Sequence, residues 1–487
     1  MKYKFKTKPY KHQQEVFDAS WKKENYALFL EMGTGKTKVT IDSIGALFKE
    51  NLLNAVLVVA PKGVYGNWLS KEIPAHLPDD IEREVVLWQP NLTKKFKEEL
   101  RSVAYGGNED VLRILIMNIE ALSTPKGSQV AEKFLKINPN SMCVVDESTT
   151  IKNRKAARTK NIIKAAKHAR YRRILTGSPI TKNPMDLYSQ CEFLNDNLLG
   201  YTSYYAFQGR YAVIQTRTMG NRSFQHIVGY RRLDELHEKL DKFSHRVLKE
   251  DCLDLPDKIY SSRAVPLSGQ QKEAYQQMSE YAVALLNKGE LSTTANVLTQ
   301  IMRLQEICCG HLRTDDGEIQ ALSHNRLHEL HNTIDEMIGK VIIWASFVYD
   351  IKAIEQSLAD AYGPESVVTF YGETSQEDRD EIVSSFQDPD SELRFFVANP
   401  RTGGYGLTLT AATNVIYYNN SYDLEIRLQS EDRAHRIGQD HHVLYVDLVS
   451  PGTVDEKILK ALKNKISIAG QVLGAVSNGN IWAYCCR

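Results

Sequence analysis

Two short stretches carry residues able to handle a polyphosphate. Leu28 to Thr37 reads LFLEMGTGKT: an apolar run, a glycine-rich turn, then Lys-Thr where a helix would open. Glycines at 33 and 35 let the backbone approach a phosphate and turn its N–H groups inward, where a helix N-terminus also favours negative charge. Lys36 is then placed to reach β- and γ-phosphates, and the Thr37 hydroxyl to complete a magnesium shell. The full pattern asks for glycine at position 30, where this chain has leucine, but the GxGKT core is intact. The second stretch, CVVDESTTIKN from Cys143 to Asn153, ends an apolar run in two adjacent carboxylates. Asp146 would hold magnesium through its water shell, and Glu147 would orient and deprotonate an attacking water. The same letters also read as an ordinary strand end with Ser148 or Thr149 capping the next helix. The readings are compatible, and the upstream GxGKT favours the catalytic one.

Such groups need a scaffold that holds them at strand ends. Short apolar runs recur at 55–61, 113–118, 142–147 and 171–177, and again at 340–346, 367–372, 394–400, 414–420 and 442–450. Each is bounded by Gly, Pro, Asn or Asp, as buried parallel strands are. Amphipathic stretches such as ARTKNIIKAAKHA and YDIKAIEQSLADA separate them. This alternation predicts an α/β chain of two doubly wound parallel-sheet units. The stretch from about 191 to 335 differs. Leu298, Ile301, Met302, Leu304 and Ile307 fall at helical spacing there, so it reads as helical insertions, with LPDK around Pro256 as a connector. The expected division is 1–190, 191–260 and 261–335 as first unit and two helical insertions, 336–470 as second unit, and 471–487 as a tail.

The balance of 61 Lys and Arg against 60 Asp and Glu names no partner, so any basic surface must be local. MKYKFKTKPYK and IKNRKAARTK are the candidates. No apolar run is long enough to cross a bilayer, and the basic start lacks an apolar core, so a cytoplasmic protein without a membrane partner is expected. Seven cysteines include no CxxC pair, which suits a reducing compartment. Cys308, Cys309 and His311 lie together, but no second ligand pair follows at zinc spacing, so helix core is the better reading.

These segments resemble the helicase superfamily-two ATPases, and further motifs resemble its Swi/Snf-type branch. EMGTGKT looks like motif I, VVAPKGVYGNW like motif Ia, VVDESTTIKN like motif II and ILTGSPI like motif III. KVIIWASF is similar to motif IV, RTGGYGLTLTAA to motif V, and QSEDRAHRIGQ, residues 429–439, to motif VI. HRVLKEDCLDLPDK and IMRLQEICCGH look like connecting segments. The resemblance implies two RecA-like lobes closing on ATP and Mg2+, with DNA crossing both. It matches Gln13 to the glutamine that reads adenine, and Gln429, Arg433 and Arg436 to residues reaching the γ-phosphate. The implied ATP-binding set is Gln13, Met32, Gly33, Thr34, Gly35, Lys36 and Thr37, with Gly404 and Gly406 of motif V; Thr37 and Asp146 face the metal. Lys62, Lys152, Asn153, Ser346 and Thr402 are the implied grips on the DNA backbone.

Many relatives carry histidine where Thr149 stands, a residue that helps couple the nucleotide site to motif III. Threonine is shorter and carries no charge near neutral pH, so hydrolysis is expected to survive with altered coupling to DNA. The resemblance implies a monomeric translocase on double-stranded or branched DNA without sequence preference, in replication, recombination or repair, of the compact bacterial or phage kind. No bromodomain, chromodomain or zinc-binding addition is evident to suggest chromatin. A strand-separating DNA or RNA helicase and an ATP-gated DNA-binding scaffold with little turnover are the alternatives.

Overall fold

Alternate residues of the apolar runs pack to opposite sides of two parallel sheets. The computed structural model describes residues 3–91, 93–105, 110–219, 222–287, 294–314, 316–374, 376–403 and 407–473. These residues divide into two units: those up to 214, with 227–254 and 468–473, in the first, and 215–219, 222–226 and those between 255 and 467 in the second.

The first unit's sheet contains β1 (Asn25–Leu30), β2 (Ala55–Ala60), β3 (Arg83–Leu87), β4 (Leu112–Asn118), β5 (Ser141–Asp146) and β6 (Tyr171–Leu175). Strands β7 (Ala212–Met219) and β8 (Arg222–Tyr230) form a separate two-stranded sheet, and β9 (Ser244–Val247) returns to the main one. The order is β3-β4-β2-β5-β6-β1-β9, with every pairing parallel. In β2, Ala55, Leu57 and Val59 join one apolar cluster, while Val56, Val58 and Ala60 join the other. Both faces are therefore covered, which explains runs without polar alternation.

The second unit follows the same plan with β10 (Lys258–Ala264), β13 (Lys340–Trp344), β14 (Val367–Phe370), β15 (Phe395–Ala398), β16 (Ala412–Tyr417) and β17 (Val443–Val449). Their order is β10-β17-β16-β13-β15-β14, again all parallel, while β11 (His311–Arg313) and β12 (Ile319–Ala321) form a small antiparallel pair. Val341 and Ile343 face one cluster, Ile342 and Trp344 the other.

The stretch read as helical insertions with a connector also supplies strands to both main sheets. β9 and β10 are edge strands with polar residues, SHRV and KIYSSRA, so they lack the apolar signature of the central ones. Cys308 and Cys309 are buried in apolar clusters, and His311 lies 3.1 Å from Asp350 in an ion-pairing position. No cluster able to hold a metal forms among the described residues.

Candidate functional site

Parallel strands deliver their C-terminal ends to one edge, and β5, β6 and β1 are neighbours. The residues following all three therefore emerge side by side, where α/β sheets bind ligands. After β1 the chain turns through Glu31–Gly35 into the helix Lys36–Lys49. Gly33 and Gly35 have φ of +83° and +95°, backbone that side chains rarely tolerate. At Gly35 a Cβ would also lie 2.3 Å from the Gln13 amide nitrogen. Thr34 is fully buried and its hydroxyl donates to the Glu31 carbonyl at 2.8 Å, pinning the turn. Met32 and Thr37 are half-buried beside it.

Gln13, in the helix Lys11–Ser20, lies against this turn. Its Oε1 accepts from the Tyr10 N–H at 3.1 Å and its Nε2 donates to the Thr34 carbonyl at 3.3 Å. These bonds leave one N–H and one lone pair, the complementary pair that a purine edge requires. His12 Nε2 lies 2.8 Å from the same Thr34 carbonyl.

Lys36 is buried, with Nζ 3.5 Å from the Glu31 carbonyl and its charge felt at Asp146. Asp146 ends β5. Trp68 Nε1 donates to its Oδ2 at 2.9 Å and the Glu147 N–H to its Oδ1 at 3.0 Å. Burial pushes the carboxyl above the usual carboxylate range, against the opposing pull of Trp68 and Lys36. Glu147 stands at φ +48°, left-handed backbone that turns the chain sharply at the strand end. The Thr176 hydroxyl, just beyond β6, donates to Glu147 Oε2 at 3.4 Å and accepts from the Ser178 N–H at 3.2 Å. A buried carboxylate pair beside a buried ammonium and a cradle of backbone N–H groups suits a polyphosphate with its divalent cation.

The capping reading of Ser148 is corrected. Its hydroxyl donates to Gln190 Oε1 at 2.7 Å, and the next helix, Ala157–Ala166, starts after Ala156 with no side-chain cap. Gln190 Nε2 then donates to the carbonyls of Pro179 and Asp186, both at 2.8 Å. The carboxylate stretch and the ILTGSPI stretch are thus joined by Glu147–Thr176 and by Ser148–Gln190–Pro179. Thr149 is buried within the turn between them. Sequence reasoning missed Trp68, Thr176 and Gln190. The first two lie inside quoted motifs, the one signal available for them, since 78 and 29 residues separate them from their carboxylates; Gln190 carries none.

In the second unit, the helix Leu424–Glu431 and the turn after it bring Gln429, Arg433 and Arg436 together. Arg433 donates through Nε to the Gln429 carbonyl at 2.8 Å and through a terminal nitrogen to Leu407 O at 3.0 Å. Arg436 reaches the same Leu407 carbonyl at 3.0 Å and stays half-buried, its guanidinium pKa lowered by desolvation. Gln429 is buried, with Nε2 3.4 Å from Glu425. Gly404 and Gly406 lie outside the described residues.

The remaining candidates are spread out. Lys62 is exposed; Lys152 donates to the Thr181 hydroxyl at 2.7 Å; Asn153 is exposed and accepts from the Lys155 N–H at 3.0 Å. In the second unit, the Ser346 N–H donates to Asn419 at 2.9 Å, and the Thr402 N–H to the Asn399 carbonyl at 3.0 Å.

The SNF2-related domain model matches residues 12–312, more than half of the chain, and the helicase conserved C-terminal domain model matches 325–438. The chain belongs to the SNF2-related family. Its members are helicase-like ATPases, and the two sheets are the two lobes of that architecture. This SNF2-related chain is 27% identical over 467 residues to the SWI/SNF chromatin-remodeling complex subunit snf22 of Schizosaccharomyces pombe, covering 91% of this chain and 26% of that protein. It is 26% identical over 434 residues to the putative ATP-dependent helicase/translocase YwqA of Bacillus subtilis, covering 86% and 43%. The chain therefore spans between about a quarter and under half of these curated relatives. A solved Sulfolobus solfataricus SWI2/SNF2 ATPase core in complex with dsDNA matches at 26% identity and a TM-score of 0.43, over 98% of this chain and 95% of that one.

Proposed function

We propose that this chain is a DNA-stimulated ATPase that moves on double-stranded DNA, serving replication, recombination or repair. The observation that carries the reading is the meeting of Lys36, Asp146, Glu147 and Thr176 at the ends of three adjacent strands, in a chain of the SNF2-related family. ATP fits the glycine turn through its phosphates and the spare groups of Gln13 through its base. Thr37 and Asp146 would hold magnesium, which supplies positive charge to the phosphate oxygens when bound. Lys36 neutralises terminal-phosphate charge, and Glu147 orients the attacking water and takes its proton. The Thr176 hydroxyl keeps Glu147 in place. Arg436 and Arg433, with Gln429 behind them, supply transition-state charge, a role worth roughly 10³–10⁵ in rate for an arginine finger.

The grip on DNA falls to exposed or loop residues such as Lys62, Asn153 and Thr402, with Lys152 and Ser346, acting on phosphates without sequence preference. The names of the two relatives, a chromatin-remodeling subunit and a helicase/translocase, support an ATP-driven DNA motor more firmly than any one process. We read the chain as a monomer of bacterial cytoplasm, encoded by a bacterium or a phage. ATPase rates across duplex, single-stranded, forked and four-way DNA, with RNA as control, test the proposal. Duplex-containing DNA should raise the rate most and EDTA should abolish it. A flat response to all nucleic acids would refute the motor, and unwinding of a forked duplex without triplex displacement would make it a strand-separating helicase.

A further inference from the structure

The first unit carries a basic, aromatic groove that the nucleotide site does not use. Between Glu147 and Asp186 the chain holds eleven Lys or Arg and no acid, so positive charge concentrates on this part of the unit. Part of that run, on the helix Ala157–Ala166 and the turns flanking it, faces the helix Tyr204–Tyr211 across a groove of about 460 Å³. Its lining includes four cations, Arg154, Lys160, Lys164 and Lys167, against one carboxylate, Glu192.

The cations have an order. Lys160, Lys164 and Lys167 recur at i, i+4 and i+7, which places them in a row along one helical face with a step of about 4.5–6 Å. That step is on the scale separating successive phosphates in an extended strand. Lys164 meets Glu132 at 2.9 Å and Lys167 meets Asp196 at 3.7 Å, both as exposed pairs that a phosphate can displace at small cost.

The aromatic wall is also organised. The Arg154 guanidinium lies 4.2 Å from the Tyr204 ring centre and 5.2 Å from that of Tyr205, and bonds the Tyr205 hydroxyl at 3.3 Å. Tyr204 is held edge-on by Tyr188 at 5.4 Å, while Tyr205 remains 68% exposed. A large ring left open and braced by a guanidinium is a stacking platform for a flat partner. Bases within a duplex already stack on each other, so such a ring selects an unpaired strand. A cationic row beside a stacking ring is the general chemistry of single-strand binding.

We propose that this groove holds an unpaired DNA strand, its phosphates on the Lys160–Lys164–Lys167 row and a base on Tyr205. DNA as the source rests on the motor reading above; the groove chemistry does not. The test is fluorescence anisotropy of labelled oligo(dT) with the full chain over a salt series, beside duplex-stimulated ATPase. Replacing both Lys164→Gln and Lys167→Gln should weaken binding and flatten the slope of log K against log salt by about 1.4, which is 0.7 for each of two lysines. Tyr205→Ala should weaken binding about fivefold or more without changing that slope. Both variants should keep the unmodified chain's duplex-stimulated rate, because none of these residues lies in the nucleotide site. The proposal is overturned by variants that bind oligo(dT) with unchanged affinity and slope. It is equally overturned if duplex DNA or poly-glutamate competes as well as unlabelled oligo(dT), or if oligo(rU) binds more tightly. Oligo(dT) binding through these residues without any duplex-stimulated hydrolysis would refute the motor and leave the groove standing.

Discussion

Buried charge is treated in opposite ways in the two units. In the first, Asp146 is driven above the usual carboxylate range because burial outweighs Trp68 and Lys36. Lys36 donates to the Glu31 carbonyl at 3.5 Å. In the second, Glu431 is as deeply buried, and burial again pushes its carboxyl up. There Lys258 and Arg427, with hydrogen bonds from Arg427 and Tyr260, bring it below the ordinary range instead. Arg427 meets Glu431 at 2.7 Å and also pairs with Asp447, whose Oδ1 accepts from Asn420 at 2.7 Å. A second network ties Arg326 to Asp455, Ser450 and the Tyr418 carbonyl. The difference separates a site from a scaffold. Charges left under-compensated in a low-dielectric setting gain most from a charged ligand, whereas charges already paired hold elements in register.

Substitutions can break this contrast. The largest effect is expected from Glu147→Gln, which keeps shape and removes the base: ATP hydrolysis should fall by about 10²–10⁴ while nucleotide binding persists. Retained turnover would remove Glu147 from the chemistry. Arg427→Ala should act on stability, since it removes the guanidinium that Glu431 and Asp447 share, leaving two buried carboxylates under-compensated at a cost of about 3–5 kcal/mol. A lower denaturation midpoint is the readout, and an unchanged one would mean the network is incidental.

Trp68→Phe sharpens the comparison from the other side. It deletes one donor to a buried carboxylate, worth about 1.5–3 kcal/mol, so kcat/KM for ATP should drop roughly 10- to 100-fold and the magnesium requirement rise. An unaltered magnesium titration would show that the indole only packs. The smallest effect on rate is expected from Thr149→His. An imidazole at a position 2% exposed overpacks by about 1–3 kcal/mol, yet basal hydrolysis should survive. Stimulation by DNA is the informative number: if it matches the unmodified chain, Thr149 has no part in coupling, and the Ser148–Gln190–Pro179 path becomes the one to cut.

Much of the nucleotide site was legible because it is local. GxGKT needs only a turn and a helix start, and a DE pair at the end of an apolar run is positioned by the strand that precedes it. The central strands were equally plain, since burial on both faces forces continuous apolar runs. The edge strands β9 and β10 were not, because a strand with one neighbour tolerates polar residues. Gln190 shows the limit more sharply. It lies 42 residues from Ser148, and no pattern in between announces the bond.

The order of letters alone thus determined the two-sheet class, the phosphate turn and the carboxylate pair, all set by periodicity and by backbone demands within a few residues. Which carboxylate Trp68 meets, where Ser148 points, and that tyrosines from one helix face lysines of another were decided by tertiary packing. Those contacts join segments far apart in the chain, and only the parallel stacking of strands brings their ends to one edge.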